Sequence, residues 1–509
     1  MNEQSLTNIT CGEIGDGLRL ATQKWFTIVI GLSLAALCWG VLSEYRYLWP
    51  VTKVAAGGLI IIAAWQSGPR HGIPVVLVLS LQTFLVFAVP LIVGNEAVVA
   101  FSNDAINQAT TEVLIYCVLL SVGWSIGIRK FTVQRIKLHS FTFLEGHSTP
   151  KVVQFGFGLL FAAIIIQVAL ITCWMTVIFN ALPAGADSVF RTLTQATALG
   201  GGLLGGFVIG SGSTAPYLRV VFWLSFAILF TFLISGYLLS SATGFMCATA
   251  LGLLIGKRTV PIVFILTMAT VCSFFNLTKF DMRYRYWGPD AEYVEQTLDI
   301  IPERLAEWIE LSTTAILEPE LHKAQSSQEN QKLADRVNNL SILLYVQNAV
   351  KARGIPVLEG ETYSLVPKLL IPRMFWPGKP RAHEGQARLN VHFQRQTLEE
   401  TFLTYIAWGF LAEAFGNFGP GWGAIILGIC LGFLVGRFEA WTRPFPIRSL
   451  ECFLALAFMI QIGSSMEMVA SVFVTSTFQL IVAIILATAL LVKPENIRVM
   501  PDPRSRHGR

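Results

Sequence analysis

"PVVLVLSLQTFLVFAVPLIVG", Pro74–Gly94, runs for 21 residues without one ionisable side chain. A helix rises about 1.5 Å per residue, so about 20 such residues cross the roughly 30 Å hydrocarbon core of a bilayer. Backbone amides without partners are costly there, and a helix satisfies them within itself. The run therefore reads as a membrane-spanning helix. Working outward, the connection Asn95 to Thr111 carries no Lys or Arg, whereas the next apolar run, 112–128, ends at Arg129 and Lys130 with Arg135 and Lys137 close behind. Lys and Arg collect in cytoplasmic loops. The first connection is thus expected outside the membrane and the second inside.

Further apolar runs near 25–42, 51–66, 154–180, 192–211, 219–238, 240–256, 259–277, 420–437, 450–467 and 470–492 bring the expected spans to twelve. The run 51–66 is short, and "GGGLLGG" in 192–211 weakens an isolated helix while permitting close helix packing. With twelve spans, Lys257 and Arg258, the loop with Arg437, Arg443 and Arg448, and the tail with Arg498, Arg504, Arg506 and Arg509 all fall in the cytoplasm with both termini. The chain has 509 residues, 53% hydrophobic and 14% charged, which together with these runs predicts an all-α polytopic membrane protein. Its net charge of +5 reflects orienting loop residues and makes no case for nucleic-acid binding. The first apolar run follows a mostly polar tail and is long enough to span, so no cleaved signal peptide is expected. All eight cysteines lie in the N-terminal tail or in apolar segments, so no disulfide framework is implied in the polar loop.

The expected organisation is a cytoplasmic tail (1–24), nine spans (25–277), a large external loop (278–419), three spans (420–492) and a basic cytoplasmic tail (493–509). The loop is far longer than a connection between neighbouring helices requires. "EYVEQTLDIIPERLAEWIEL" carries Val294, Leu298, Ile301, Leu305 and Ile309 at helical spacing, and a second helix is expected with Leu333, Val337, Leu340 and Leu344 on one face, stopping near Gly354. The loop is therefore mainly helical. Beyond it, "LEGETYSLVPKLLIPRMFWPGKP" is rich in Pro and Gly and should be irregular. Residues 402–416 read as an interfacial or re-entrant helix, too broken by glycines and Glu413 for an ordinary span.

Charge reverses along this loop. Acidic residues dominate from Asp281 to Asp335. From Arg336 to Arg395, Arg336, Lys351, Arg353, Lys368, Arg373, Lys379, Arg381, Arg388 and Arg395 face only Glu359, Glu361 and Glu384. One reading is that the halves neutralise each other in an ordinary folded loop. The other is a basic pocket for an anionic, lipid-linked substrate, because guanidinium forks and ammonium groups match phosphate oxygens.

The order of the motifs, an Arg-bearing helix, "GETYS", "IPRMFWPGKP" and then "EAFGNFGPGWG" leading into a span, resembles the Wzy-type oligosaccharide repeat-unit polymerases of bacterial surface polysaccharides, over about residues 336–436. The resemblance implies a multi-pass protein of the bacterial cytoplasmic membrane, with a GT-C-like arrangement compatible. Its activity would be glycosyl transfer on the outer face between undecaprenyl-diphosphate-linked oligosaccharides. It also implies no cofactor and no metal, and partners among membrane lipids, a chain-length regulator and other polysaccharide assembly proteins. His322, His383 and His392 are scattered in the loop without a metal-site spacing.

The chemistry assigns candidate roles. A lipid diphosphate leaving group needs positive charge, and a base can help deprotonate the attacking hydroxyl. Arg373 and Lys379 lead for the diphosphate, with Arg336 and Arg353 behind them and Arg283, beside Arg285 at a span end, as a further phosphate contact. Surface or structural ion pairing is the plainer account of each. Glu413, in an apolar neighbourhood, is the candidate catalytic base or the orienter of an arginine, with a structural partner as the alternative. Trp376 is a candidate to stack on a sugar ring or to pack beneath a turn. Asn417 reads as a left-handed helix cap. A glycan ligase, a twelve-span flippase or transporter, and a non-catalytic assembly scaffold are the competing functions.

Overall fold

The computed structural model describes residues 10–491 except 44, 70, 130–148, 172–185, 213, 238, 258, 288–297, 319–337, 372–374, 377, 404–405, 447–448 and 466. Among the described residues there is no strand, only an isolated bridge between Thr10 and Pro446. Apart from single turns at Glu96–Val99 and Glu400–Leu403, the described helices are α1 (Cys11–Leu42), α2 (Leu48–Ser67), α3 (Val75–Ile92, with a π turn at Phe84–Ala88), α4 (Asn103–Arg129), α5 (Thr149–Ile171), α6 (Ala186–Gly210), α7 (Pro216–Ile234), α8 (Leu239–Lys257), α9 (Ile262–Leu277), α10 (Lys279–Trp287), α11 (Ile300–Leu317), α12 (Asn339–Lys351), α13 (Leu365–Leu370), α14 (Glu384–His392), α15 (Phe410–Phe418), α16 (Trp422–Thr442), α17 (Leu450–Gly463) and α18 (Ala470–Leu491).

Eight of these, α2 to α8 and α16, are long and apolar enough to cross a membrane. The protein is a multi-pass, all-α membrane protein. A ninth candidate, α9 with α10, is bent by 48°, and the apolar stretches Phe26–Leu42, Glu451–Gly463 and Ala470–Leu486 are shorter than a full span. Each expected apolar run overlaps a helix among the described residues, with 172–180 of the run 154–180 lying outside them, and four of the twelve are too short or too bent for a full span.

Small residues set how the spans pack. Gly428, Gly432 and Gly436 recur every four residues on α16 and face the α4 backbone; a Cβ at Gly428 would stand 2.8 Å from the Tyr116 carbonyl oxygen, and one at Gly432 would collide with that of Leu120. Contacts advance together, Tyr116 with Gly428, Leu120 with Gly432 and Trp124 with Gly436, so α4 and α16 run parallel. The glycines of α6 do the same against α8: a Cβ at Gly206 would meet the Thr249 carbonyl at 2.6 Å, and one at Gly210 that of Leu253 at 2.8 Å. Helices in lipid gain little from hydrophobicity alone, so such close backbone approach supplies the packing. The glycines expected to weaken 192–211 are its contact surface.

The bundle has two distinct ends. At one, Cys11 N–H donates to Phe445 O at 2.8 Å, Gly12 N–H to Arg443 O at 3.0 Å and Ile73 N–H to the Thr442 hydroxyl at 3.1 Å. There the buried Glu439 accepts the indole N–H groups of Trp65 and Trp124 at 2.7 and 2.9 Å, tying α2, α4 and α16 together. At the other, the Tyr45 hydroxyl donates to Leu91 O at 2.8 Å, and Gly421 N–H to the Glu112 carboxylate at 2.9 Å. The described residues of 338–421 gather at this second end: Asn338 Nδ2 donates to Asn95 Oδ1 at 2.8 Å, and Gln347 and Lys351 donate to Gln108 Oε1 at 3.0 and 2.7 Å.

Candidate functional site

The helix expected at 402–416 is α15, Phe410–Phe418, which begins later. Gly409 (φ 79°) and Gly419 (φ 81°) bound it in conformations that a side chain disfavours. Leu411 to Asn417 are all buried, so nine residues, too short to span a bilayer, are enclosed by protein.

Glu413 has no exposed surface. Its Oε1 accepts the Thr362 hydroxyl at 2.8 Å and its Oε2 the Ala470 backbone N–H at 2.6 Å, at the N-terminus of α18. Asn417 Nδ2 donates to Thr362 Oγ1 at 2.9 Å and to Glu413 O at 2.8 Å, while Thr362 N–H donates to Asn417 Oδ1 at 3.3 Å. Leu358 N–H adds a bond to Gly416 O at 3.0 Å, and Tyr363 stacks on Phe418 with ring centroids 5.4 Å apart. The segments "GETYS" and "EAFGNFG", about 50 residues apart in sequence, thus form one hydrogen-bonded unit. Burial pushes the Glu413 carboxyl up to about 7, with the Ala470 N–H and the Thr362 hydroxyl opposing the shift. No arginine bonds to it among the described residues. Asn417 is not the expected left-handed cap: it lies inside α15, Gly419 takes the positive φ, and the amide is free to hold Thr362.

The cations divide into tied and untied ones. Arg388 pairs with Glu361 and Glu384, and Arg381 with Glu384 at 3.1 Å. Lys379 donates to the Leu369 and Ile371 carbonyls at 3.1 and 2.8 Å, closing its own turn. Arg283 donates to Tyr237 O through Nε (3.1 Å) and Nη2 (2.9 Å), and Arg285 pairs with Glu307. Arg353 and Arg395 differ. Their guanidinium carbons stand 5.0 and 5.1 Å from the Tyr345 ring centroid, with Arg395 also 5.8 Å from Trp408. Their hydrogen bonds go to carbonyls, Arg353 to Phe393 O at 3.3 Å and Arg395 to Ala407 O at 3.4 Å, and neither pairs with a carboxylate among the described residues. Burial lowers the pKa of Arg395, with Tyr345 opposing.

Phe393 links the arginine pair to α15, its carbonyl accepting from Arg353 and its ring lying against Gly416. Phe393 packs on Trp408 (5.5 Å) and against Gly416 of α15, and Trp408 donates its indole N–H to Asn390 Oδ1 at 2.7 Å. A small cleft of about 40 Å³ adjoins α15, lined by Gln82 and Thr83 ahead of the π turn, Tyr116, Asn339, Phe410 and Ser465.

Arg373 and Arg336, two of the expected diphosphate ligands, lie outside the described residues, as does His322. Trp376 is exposed and its carbonyl accepts the Lys379 N–H at 3.2 Å, within the "WPGK" turn. His383 Nδ1 bonds to Gln386 Oε1 at 2.6 Å, and His392 Nε2 to Pro356 O at 2.7 Å. No group of three or more potential metal ligands occurs among the described residues. Thr362, Tyr345, Arg395 and Trp408 were given no role from sequence; Thr362 carried a signal in its place in "GETYS" and Arg395 in its place in the basic run. No family model, curated protein or solved structure matches the chain.

Proposed function

We propose that the protein polymerises undecaprenyl-diphosphate-linked oligosaccharide repeat units on the outer face of a bacterial cytoplasmic membrane. One observation carries this reading: "GETYS" and "EAFGNFG" are joined through Thr362, Glu413 and Asn417, and next to them, across Phe393, stand two arginines that pair with no carboxylate among the described residues. In the reaction, the bond between the anomeric carbon and the phosphate oxygen of one unit breaks. A hydroxyl of the other unit bonds to that carbon, the diphosphate leaves with the electron pair, and the hydroxyl's proton passes to the departing phosphate oxygen or to water. Arg353 and Arg395, with Arg373 and Arg336 as further contributors, are suited to the charge that grows on the leaving oxygens. Both oxygens of Glu413 are engaged and neither reaches solvent, which favours a positioning role, holding the 358–364 segment, over proton abstraction.

The reading uses twelve spans with 278–419 outside and both termini in the cytoplasm. The packing supports the count: α2, α4 and α16 would be spans two, four and ten, and α6 and α8 spans six and eight. Within each set the helices run parallel, Lys53 of α2 meeting Thr111 and Gly57 meeting Cys117 of α4. Spans of equal parity must run parallel.

The test is a deletion strain complemented with wild type, Arg395→Gln, Arg373→Ala or Glu413→Ala, its surface polysaccharide resolved by chain length. Polymerisation predicts single-repeat or absent polymer in the deletion, restored by wild type and not by Arg395→Gln. Full-length polymer in the deletion would eliminate this function. Full-length polymer left on its lipid carrier would identify a ligase, and lipid-linked single units held on the cytoplasmic face a flippase.

A further inference from the structure

Three large apolar side chains around the "WPGK" turn are exposed: Ile371, Trp376 and, at 75%, Phe375. Lys379 closes this turn through the Leu369 and Ile371 carbonyls, and α13 ahead of it buries Leu365 and Leu369 and packs against α18. The hydrogen bonds fix the level of the turn along the bundle. Thr362, just ahead of α13, donates to Glu413, whose other oxygen takes the Ala470 N–H at the start of α18. Thr362 also accepts from Asn417, just before the span candidate α16 begins at Trp422. α13 therefore sets out from the level at which α16 and α18 begin. Trp422 is itself exposed there, as tryptophans are where a span meets the headgroup layer. α18 lies on the periphery of the bundle, with Phe478, Val482, Ile485 and Leu486 exposed. The turn thus continues an apolar, lipid-facing surface.

We infer that Ile371, Phe375 and Trp376 dock into the boundary between headgroups and acyl chains of the bilayer that the spans cross, in the leaflet at which α16 begins. Water is a poor solvent for three large apolar side chains of one turn, whereas this boundary takes up aromatic rings, and an indole can keep its N–H in the wet layer. Charge on the neighbouring helix agrees. Lys368 of α13 is exposed and forms no ion pair with a described acid; its stem can follow the apolar surface while its ammonium reaches lipid phosphates. The anchor would hold α13 at the membrane surface, and through Thr362 the segment bonded to Glu413 with it. Trp376 is thereby assigned to lipid rather than to a sugar ring. The inference rests on the membrane-spanning fold and is independent of the polymerase reading.

The full-length protein, with the exposed Cys38, Cys247 and Cys430 replaced by serine, is labelled with bimane at Phe375→Cys, Trp376→Cys or Ser364→Cys and placed in phosphatidylcholine–phosphatidylglycerol nanodiscs. The same protein without an added cysteine gives the background. Two quenchers are compared: lipid carrying a spin label near the carbonyl end of its acyl chain, and iodide in the buffer. Lipid quenching several-fold stronger at Phe375→Cys and Trp376→Cys than at Ser364→Cys, which is exposed at the same end, with the order reversed for iodide, is the expected result. Iodide quenching at all three positions without lipid quenching at Phe375→Cys and Trp376→Cys would overturn the inference by placing the turn in water. Protection of these two labels from both quenchers would overturn it as well, assigning the face to a protein, a second copy of the chain included.

Discussion

Glu413 illustrates what a single buried acid demands of the chain around it. An ionised carboxylate without solvent is costly unless it is hydrogen-bonded, and two donors reduce that cost without removing it, leaving the carboxyl pushed from 4.5 to about 7. The sign follows from proton uptake: between these values the folded protein holds a proton the unfolded chain has released, so stability falls as pH rises through that window and is flat above it. Each pKa unit corresponds to about 1.4 kcal/mol, so the effect amounts to about 3 kcal/mol. Thermal unfolding of the detergent-solubilised protein is expected to show a midpoint that falls from pH 5 to pH 7.5. Glu413→Gln, whose amide oxygen can accept from Ala470 and whose NH2 can donate to Thr362, should lose most of this slope; an unchanged slope would mean that other groups set it. Arg395 makes the complementary case. Replacing Arg381, already neutralised by Glu384, should leave polymer length close to wild type, whereas Arg395→Gln shortens it, and equal effects of the two would deny Arg395 its special place. From sequence, Glu413 was readable because a carboxylate in an apolar run is conspicuous. Arg395 was not, because its distinction lies in pairing with no carboxylate among the described residues, a fact of the folded chain.

Among elements, the glycine-lined pairs hold the bundle together and can be tested against glycines that face nothing. Gly432→Val forces a side chain into the Leu120 carbonyl and must part α4 from α16, and Gly252→Val, against the Leu203 carbonyl, must part α8 from α6. Each should cost several kcal/mol, at or above the roughly 1–3 kcal/mol typical of overpacking, seen as lost folded yield and a lower unfolding midpoint. Gly158→Ala, in α5 with nothing near its Cβ position, should be neutral or stabilise by about 0.5–1 kcal/mol through helix propensity. A Gly432→Val protein as stable as Gly158→Ala would contradict the parallel packing. Element positions were largely legible, since a 20-residue apolar run has few alternatives. Partners were not: nothing in "GGGLLGG" names α8 as the surface it meets. The start of α15 was misjudged by several residues because the apolar pattern continues through 402–409, whereas Gly409, at φ 79°, starts the helix one residue later.

At the scale of the molecule, the connections sort to two ends, and this makes the orientation testable apart from the chemistry. Gly17 lies on the exposed face of α1 at the end where Thr10 meets Pro446, with nothing near its Cβ position, and Ser364 is exposed at the opposite end, in the segment tied to α15. Cysteines placed at these two positions, with Cys38, Cys247 and Cys430 replaced by serine because they are exposed, report the two sides to a membrane-impermeant maleimide. Charge in the short loops predicts that Ser364→Cys reacts in intact spheroplasts and Gly17→Cys only in inverted vesicles. The converse pattern would leave the bundle intact, turn it over, and remove the outer-face chemistry with it. Reaction of both from the same side would break the two-ended arrangement itself, because in the twelve-span reading nine crossings, an odd number, lie between Gly17 and Ser364. The basic residues Arg353 and Arg395 share the Ser364 end, so one labelling experiment decides whether a lipid-linked glycan on the outer leaflet can reach them.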